Sequence, residues 1–194
     1  MADNLSTRER LISAAIDVIR VKGYAATSVN DIAAAAGITK GSFFHHFATK
    51  EVCAREAAVQ WSVQSRAGTV SSFGGAATPQ ERIFAYMDFR ISLLAGPVAK
   101  YACYVGTVLQ EVHDTHPELA ADTAASLLDQ ALALEPDLEA ALGERRKEAR
   151  DLAIHIEATI QGALLLAKAE GGTKGARASL GHLKQYVEFK LKGA

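Results

Sequence analysis

Apolar residues recur with the period of an α-helix along almost the whole chain. Near the N-terminus they follow the i, i+3, i+4, i+7, i+8 spacing, at Leu11, Ala14, Ala15, Val18 and Ile19. Ser6 and Glu9 stand ahead of this set in the arrangement of a capping box, and Gly23 stands where the helix should end. The pattern therefore predicts a first helix between Ser6 and Gly23.

Two shorter helices are predicted directly after the first. Ser28 with Asp31 forms the N-terminal signature of the second helix, and Gly37 ends it. Thr39 then caps a third helix after a turn of only a few residues. Caps and helix-breaking residues alone therefore predict three short helices within residues 1–50, the last two joined by a tight turn.

The rest of the chain is also predicted to be helical. A longer helix should run from Lys50 to about Ser72 and stop in the sequence FGGAATPQE, where Thr78 and Pro79 mark a restart. Further helices are predicted at about 79–95, 99–113, 117–134, 144–169 and 176–191, with breaks at Gly96-Pro97, near Glu135-Pro136 and in EGGTKG. Because no convincing strand, hairpin signal or repeat is found, the predicted fold class is all-α.

The composition allows a substantial core and leaves the charge unevenly distributed. The chain has 194 residues, 49% of them hydrophobic, and a formal net charge of −1. This size suits one domain or two small ones. Residues 1–50 carry 6 basic against 4 acidic side chains, a balance of +2, whereas residues 51–194 carry 15 against 18, a balance of −3. The positive end of the chain indicates an anionic partner.

Several classes of protein are disfavoured by what the sequence lacks. No apolar run approaches the roughly 20 residues needed to span a bilayer, and MADNLSTRERL does not have the form of a signal peptide. Cys53 and Cys103 lie far apart without CxxC spacing, which suits free thiols in a reducing cytoplasm. A nucleophile elbow, GxGxxG, Walker A and HExxH are all missing. We therefore expect a cytoplasmic protein that is no enzyme, has no cofactor and does not enter a membrane.

The stretch GITKGSFFHHF, residues 37–47, places two histidines, a lysine and three phenylalanines together. A metal site is disfavoured here, because adjacent His45 and His46 would point about 100° apart on a helix. The HxxH pair of His113 and His116 has better spacing, but Pro117 follows at once and no third ligand is obvious. We therefore expect no metal.

Part of the same stretch suits a helix core. Phe43 and Phe47 stand at i and i+4 and can anchor a short helix on its neighbours. The side chains left on the other faces are Lys40, Ser42, Phe44, His45 and His46. A short helix after a tight turn, apolar inside and rich in donors outside, has the properties of a helix-turn-helix recognition helix.

The segment RLISAAIDVIRVKGYAATSVNDIAAAAGITKGSFFHHFATKEV, about residues 8–52, resembles the DNA-binding domain of the TetR family of bacterial transcriptional regulators. The resemblance implies an all-helical homodimer with a helix-turn-helix domain at residues 1–50 and a helical ligand-binding and dimerisation domain at 51–194. It also implies a repressor that binds palindromic operator DNA and releases it when a small-molecule effector enters the second domain. The alternatives are a helical protein-interaction module without DNA binding and, less favoured, an enzyme that modifies a small molecule.

Carried over position by position, the resemblance implies which residues contact DNA. Thr27 and Ser28 would lie near phosphate at the start of the second helix, and Lys50 would meet phosphate from the start of the fourth. The recognition helix and its cap would contribute Thr39, Lys40, Gly41, Ser42, His45 and His46. Phe44 stands where the family usually has tyrosine, so a hydroxyl-to-phosphate bond is unavailable there. Its ring would either pack in the core or contact a thymine methyl.

The second domain resembles the family less closely. ATIQGALLLAKAEGG and the final helix resemble paired dimerisation helices, so we expect a homodimer through about 144–191, with Leu164 in the seam. The same apolar stripe also suits intramolecular core. Candidate effector-binding residues lie on helices that resemble the pocket-forming ones: Trp61, Phe84, Met87, Tyr101, Cys103, Tyr104 and Gln110. The alternative for each of them is an ordinary place in the core.

Cys103 allows two interpretations. Some family members that resemble KYACYVG sense electrophiles or oxidants through a cysteine. That role requires a thiolate stabilised by a nearby cation or a helix N-terminus, here Lys100 or a helix beginning near Val98. The alternative is a small buried hydrophobe, the usual role of a free cysteine.

Overall fold

The computed structural model describes residues 5–97 and 101–193, and every regular element within these ranges is helical. The α-helices are α1 (Thr7–Lys22), α2 (Val29–Ala35), α3 (Lys40–His46), α4 (Lys50–Ser72), α5 (Pro79–Leu93), α6 (Tyr104–Val112), α7 (Pro117–Ala131), α8 (Glu135–Leu142), α9 (Ala149–Glu170) and α10 (Lys174–Lys192). A 3₁₀ segment, Gly143–Glu148, joins α8 to α9. The predicted all-α class is confirmed.

The predicted caps start the predicted helices. Ser6 and Glu9 exchange side-chain and backbone hydrogen bonds at the start of α1, and Ser28 does the same with Asp31 at the start of α2. Gly23 follows α1 at φ 87°, a conformation that favours glycine, and a Cβ there would collide with the carboxylate of Glu111. These helix boundaries are therefore set by local chemistry.

Two later regions add to the prediction. The expected break near Glu135-Pro136 is present, since α7 ends at Ala131. A helix that was not predicted, α8, then begins at Glu135, because proline is tolerated in the first turn, where its missing N–H is not needed. In the helix predicted at about 99–113, the described residues show an interruption at Ala102 and Cys103, after which α6 begins at Tyr104. The predicted helix start near Val98 and the cation of Lys100 lie outside the described residues.

The chain divides into two compact units, each made of two segments. The first comprises Met1–Gln64 and Ala102–Leu127, and the second comprises Ser65–Tyr101 and Leu128–Ala194. These units are defined by packing alone. The division into a DNA-binding domain at 1–50 and a ligand-binding domain at 51–194 is a division of function, and it stays a prediction.

The first unit has a core formed by α1, α2, α3 and the first half of α4. Its fully or almost fully buried side chains include Leu11, Ile19, Ile32, Phe43 and Phe47. The rings of Phe43 and Phe47 lie 5.5 Å apart, as expected for an i, i+4 pair on one helix face. The prediction that these two phenylalanines anchor the short helix is confirmed.

In the second unit, α9 and α10 pack on each other through part of the predicted dimer stripe. Leu164 is only 6% exposed, so placing it in the intermolecular seam was wrong. It belongs to the intramolecular core because it lies on the same face of α9 as Ile156 and Ile160. The large apolar side chains that both helices leave exposed are Ile154, Leu165, Leu166, Tyr186 and Phe189.

One stretch among the described residues, Pro117–Glu170, is long and apolar enough to be weighed as a membrane span, with a mean hydropathy of 1.2 in an 18-residue window. That window is 44% buried within the protein. The stretch comprises α7, α8, the 3₁₀ segment and α9, and its backbone turns at Gly143, where φ is 59°. It is therefore weak support for a membrane protein, since core helices pass the same test.

Candidate nucleic-acid interface

α3 has one buried face and one exposed face. Phe43 and Phe47 fill the core, and the hydroxyl of Thr39 accepts a hydrogen bond of 3.1 Å from the backbone N–H of Ser42 at the helix start. Gly37, at φ 68°, makes the turn that separates α3 from α2. The exposed residues of α3 are Lys40, Gly41, Phe44, His45 and His46, and Ser42 is partly exposed.

Phe44 is the exposed aromatic of this surface. Its side chain is 49% exposed, and its ring meets the edge of Phe43 with the ring centroids 5.4 Å apart. Of the two alternatives for this residue, core packing or surface contact, the structure supports the surface. An exposed phenyl ring beside lysine and histidine donors can contact a thymine methyl in the major groove.

Thr27 does not present its hydroxyl to a partner. The residue is 1% exposed, and its hydroxyl donates a 2.6 Å hydrogen bond to the carbonyl of Gly23. The predicted phosphate contact of Thr27 therefore lacks support, because the side chain closes the turn after α1. Ser28 is exposed, but its hydroxyl donates to Asp31 at 2.6 Å.

Asp31 is the centre of a small charged cluster at the start of α2. Its carboxylate accepts a 2.6 Å hydrogen bond from the ammonium of Lys22 and further bonds from Ser28. The bond from Lys22, followed by those from Ser28, holds the pKa of Asp31 well below its usual range. Asp31 is therefore ionised at neutral pH and fixes the entry of the chain into α2.

Lys50 lies at the start of α4 but reaches back to the loop after α1. Its ammonium donates to the carbonyl of Tyr24 at 2.8 Å and to that of Thr27 at 2.9 Å, and it lies 4.0 Å from the centre of the Tyr24 ring. Burial lowers the pKa of Lys50 and raises that of Tyr24 to about 12. Lys50 therefore ties the start of α4 to the loop between α1 and α2, and its phosphate contact stays a prediction.

Two basic side chains of α1 have structural roles that the sequence did not indicate. Arg10 donates a hydrogen bond to the carbonyl of Ala36 at the end of α2, and Lys22 pairs with Asp31. Neither pair has the i, i+3 or i, i+4 spacing that links residues within one helix. Only the packing of α1 against α2 brings these groups together.

The candidate effector-binding residues are divided between the two units. In the first, the rings of Trp61 and Tyr104 lie 6.3 Å apart, and the hydroxyl of Tyr104 donates to the carbonyl of Ala54 at 2.8 Å. Cys103 is next in the chain to Tyr104 and is 5% exposed. Gln110 is exposed and donates to the carbonyl of Gly106 on its own helix.

The other candidates lie in the second unit. Met87 is 2% exposed and lines a crevice too narrow for a water molecule, together with Arg90, Ile91, Ile160, Leu180 and Leu183. Tyr101 is 8% exposed, and Phe84 is partly exposed, with the ammonium of Lys184 5.8 Å from the centre of its ring. Their role as effector contacts stays a prediction.

The structure bears on both interpretations of Cys103. Its sulfur accepts a 3.5 Å hydrogen bond from the backbone N–H of Gly106, so the residue caps the N-terminus of α6. Its near-complete burial favours a place in the core over reaction with an electrophile. Cys53 is fully buried, and burial raises its pKa to about 12. Across residues 5–97 and 101–193, no group of three or more histidine, cysteine or acidic residues could hold a metal ion.

Comparison with known proteins finds similarity to bacterial regulators of transcription. The family described as "Bacterial regulatory proteins, tetR family" matches residues 11–57, which include most of α1, all of α2 and α3 and the start of α4. The HTH-type transcriptional regulator CymR of Pseudomonas putida is 46% identical over 46 residues, 24% of this chain and 23% of that protein. The HTH-type transcriptional repressor KstR2 of Mycolicibacterium smegmatis is 43% identical over 51 residues, 26% of this chain and 25% of that protein.

One solved structure resembles almost the whole chain. The crystal structure of a TetR transcriptional regulator from Chloroflexus aurantiacus is 28% identical, covers 94% of each chain and has a TM-score of 0.80. The helix-turn-helix segment of the chain matches the TetR family. The proteins that resemble the chain are named as regulators of transcription, as the sequence predicted for this protein. The matches to the two curated relatives span only about a quarter of each.

Proposed function

We propose that this protein is a cytoplasmic transcriptional repressor of the TetR family that binds a palindromic operator as a homodimer and is released by a small-molecule effector. The observation that carries the proposal is the two-faced α3 helix. Phe43 and Phe47 are buried in the helix-turn-helix core, which leaves the other face of α3 free to enter the major groove.

The groups on that face suit both kinds of DNA contact. Lys40 lies at the exposed start of α3, where its ammonium can contact phosphate. His45 and His46 are exposed in the last turn, where imidazole can donate to or accept from base edges. The balance of +2 within residues 1–50 supports the attraction to DNA.

Dimerisation is supported by the apolar side chains that α9 and α10 leave exposed. Leu165 is 56% exposed and Phe189 is 60% exposed, although the opposite faces of the two helices are buried in the unit's core. Helices with a second apolar face are typical of oligomer interfaces, and a twofold axis would pair these faces with their own copies. A twofold dimer would place two α3 helices on half-sites one or more helical turns apart, about 34–36 Å per turn.

The proposal is tested by electrophoretic mobility shift with inverted repeats found upstream of the gene, at several salt concentrations. The parent should bind, and its affinity should fall steeply with salt because phosphate contacts release counterions. His46→Ala should alter base preference or lose affinity by about 1–3 kcal/mol without changing the salt slope.

His113→Ala is the matched control, since His113 is also exposed and lies outside α3. We expect this variant to bind DNA like the parent. Absence of any salt-dependent binding to the repeats would reject the repressor proposal in favour of a helical protein-interaction module. Equal binding by the parent and His46→Ala would reject the assignment of α3 as the base-reading helix.

A further inference from the structure

Trp61 carries a buried hydrogen-bond donor without a protein acceptor. Its indole nitrogen, Nε1, is the one buried side-chain nitrogen or oxygen that has no hydrogen-bond partner across residues 5–97 and 101–193. An unsatisfied buried donor is costly and rare in folded proteins. An acceptor atom from outside the protein would remove that cost, and the ring itself retains partial exposure through which a ligand can approach.

A buried cation lies on the same ring. The guanidinium carbon of Arg20 is 4.7 Å from the centre of the Trp61 ring, and the Arg20 side chain is only 11% exposed. Its Nε donates a 2.6 Å hydrogen bond to the carbonyl of Ala102. This carbonyl is neutral, so it satisfies one N–H without balancing the charge.

The nearby acid compensates that charge incompletely. Asp17 lies 3.8 Å from Arg20, at the limit of an ion pair, and its side chain is 65% exposed, so water screens the interaction. Burial, the largest influence, lowers the pKa of Arg20, although Asp17 and Cys103 act in the opposite direction. A second negative charge would therefore be stabilised beside Arg20.

The start of α6 adds a partial charge of the same sign. Ala102, which accepts from Arg20, directly precedes Cys103, the cap of this helix. The Cys103 sulfur is a weak acceptor and stands 3.5 Å from the N–H of Gly106, so it neutralises little of the positive helix end.

We propose that Trp61 and Arg20 form a subsite for a carboxylate of the effector, which accepts a hydrogen bond from Nε1 and lies beside the guanidinium. This inference rests on the proposed function, in that it names the chemical class of the effector. Arg20 belongs to α1 of the helix-turn-helix, so a carboxylate bound there acts directly on a residue of the DNA-binding segment. Competition with the Ala102 carbonyl for Arg20 would couple ligand binding to that segment.

The chain contains a single tryptophan, so its fluorescence reports on this subsite alone. We would titrate the intact dimer with benzoate and hexanoate, and with benzamide and hexanamide as neutral partners of the same shape. Both carboxylates should change the Trp61 emission in a saturable way. The amides should bind about tenfold more weakly, the ratio expected between a charge-assisted and a neutral hydrogen bond. Equal responses to acids and amides, or no response to either acid, would overturn the proposal.

A pair of variants tests the role of the orphan donor. Trp61→Phe removes a donor that has no partner, whereas Tyr104→Phe removes a hydroxyl that donates to the Ala54 carbonyl at 2.8 Å. Without ligand, Tyr104→Phe should melt at a lower temperature than the parent. Trp61→Phe should melt at a higher temperature than Tyr104→Phe. Calorimetric titration with benzoate should show weaker binding to Trp61→Phe than to the parent. Parental binding to Trp61→Phe, or the reverse order of melting temperatures, would reject Nε1 as the contact.

Operator binding without ligand separates this inference from the proposed function. A parent protein that binds the operator but ignores both acids would reject the carboxylate subsite and leave the repressor proposal standing. A parent that binds the acids but no operator would do the opposite. Release of the operator by benzoate, lost in Arg20→Lys, would support both.

Discussion

Replacing each of the adjacent phenylalanines of α3 with alanine should separate stability from DNA binding. Phe43 is fully buried against Phe47, whereas Phe44 is 49% exposed. Phe43→Ala removes a buried ring and leaves a cavity, which typically costs about 3–5 kcal/mol of the free energy of unfolding. Phe44→Ala loses little burial and the edge contact with Phe43, about 1 kcal/mol.

The assay is urea denaturation followed by far-ultraviolet circular dichroism, paired with operator titration of the folded protein. Phe43→Ala should shift the denaturation midpoint strongly and lose DNA binding because α3 no longer has its anchor. Phe44→Ala should stay close to the parent in stability and still bind DNA more weakly. Similar losses of stability in both variants, or a larger loss in Phe44→Ala, would refute the assignment of the buried and exposed faces of α3.

The remaining predictions concern the dimer, the loop after α1 and the start of α2. Leu165→Glu should yield monomers in sedimentation, and an unchanged dimer would contradict the proposed interface. Leu164→Ala should instead stay dimeric and lower the free energy of unfolding by about 2–5 kcal/mol. Lys50→Ala should lower stability by about 2 kcal/mol through its lost carbonyl bonds. Through its predicted phosphate contact it should also reduce the salt slope by about one, and an unchanged slope would leave Lys50 with the internal role only. Because the pKa of Asp31 is lower in the folded than in the unfolded protein, its contribution to stability should be complete above the ordinary pKa of 3.8 and lost as the pH falls below it. The melting temperatures of the parent and Asp31→Asn should therefore converge in acid. A difference that stays constant with pH would exclude this linkage.

Local sequence determined the parts of the fold that depend on neighbouring residues. The caps at Ser6, Ser28 and Thr39 set the starts of the first three helices because a hydroxyl needs only the N–H groups of the next turn. The i, i+4 spacing of Phe43 and Phe47 likewise determined the buried face of α3. Pro136 marked the break correctly but did not reveal the short helix that starts beside it, because proline both follows helix ends and suits a first turn.

Tertiary structure decided which side of each apolar helix is covered. Leu164 and Leu165 are adjacent and chemically identical, yet one is 6% exposed and the other 56%. The apolar stripe on α9 predicts that this face of the helix is buried, but it does not show which element covers it.

The same limit applies to the polar groups. The sequence predicted only a phosphate contact for Lys50, and the fold adds an internal role, because the carbonyls of Tyr24 and Thr27 lie within 3 Å of its ammonium. Thr27 turns its hydroxyl inward for the same reason, and Arg20 meets Trp61 only because their helices pack together. A side chain's partners depend on contacts between residues far apart in the chain, whereas periodicity and caps depend on residues within one or two helical turns.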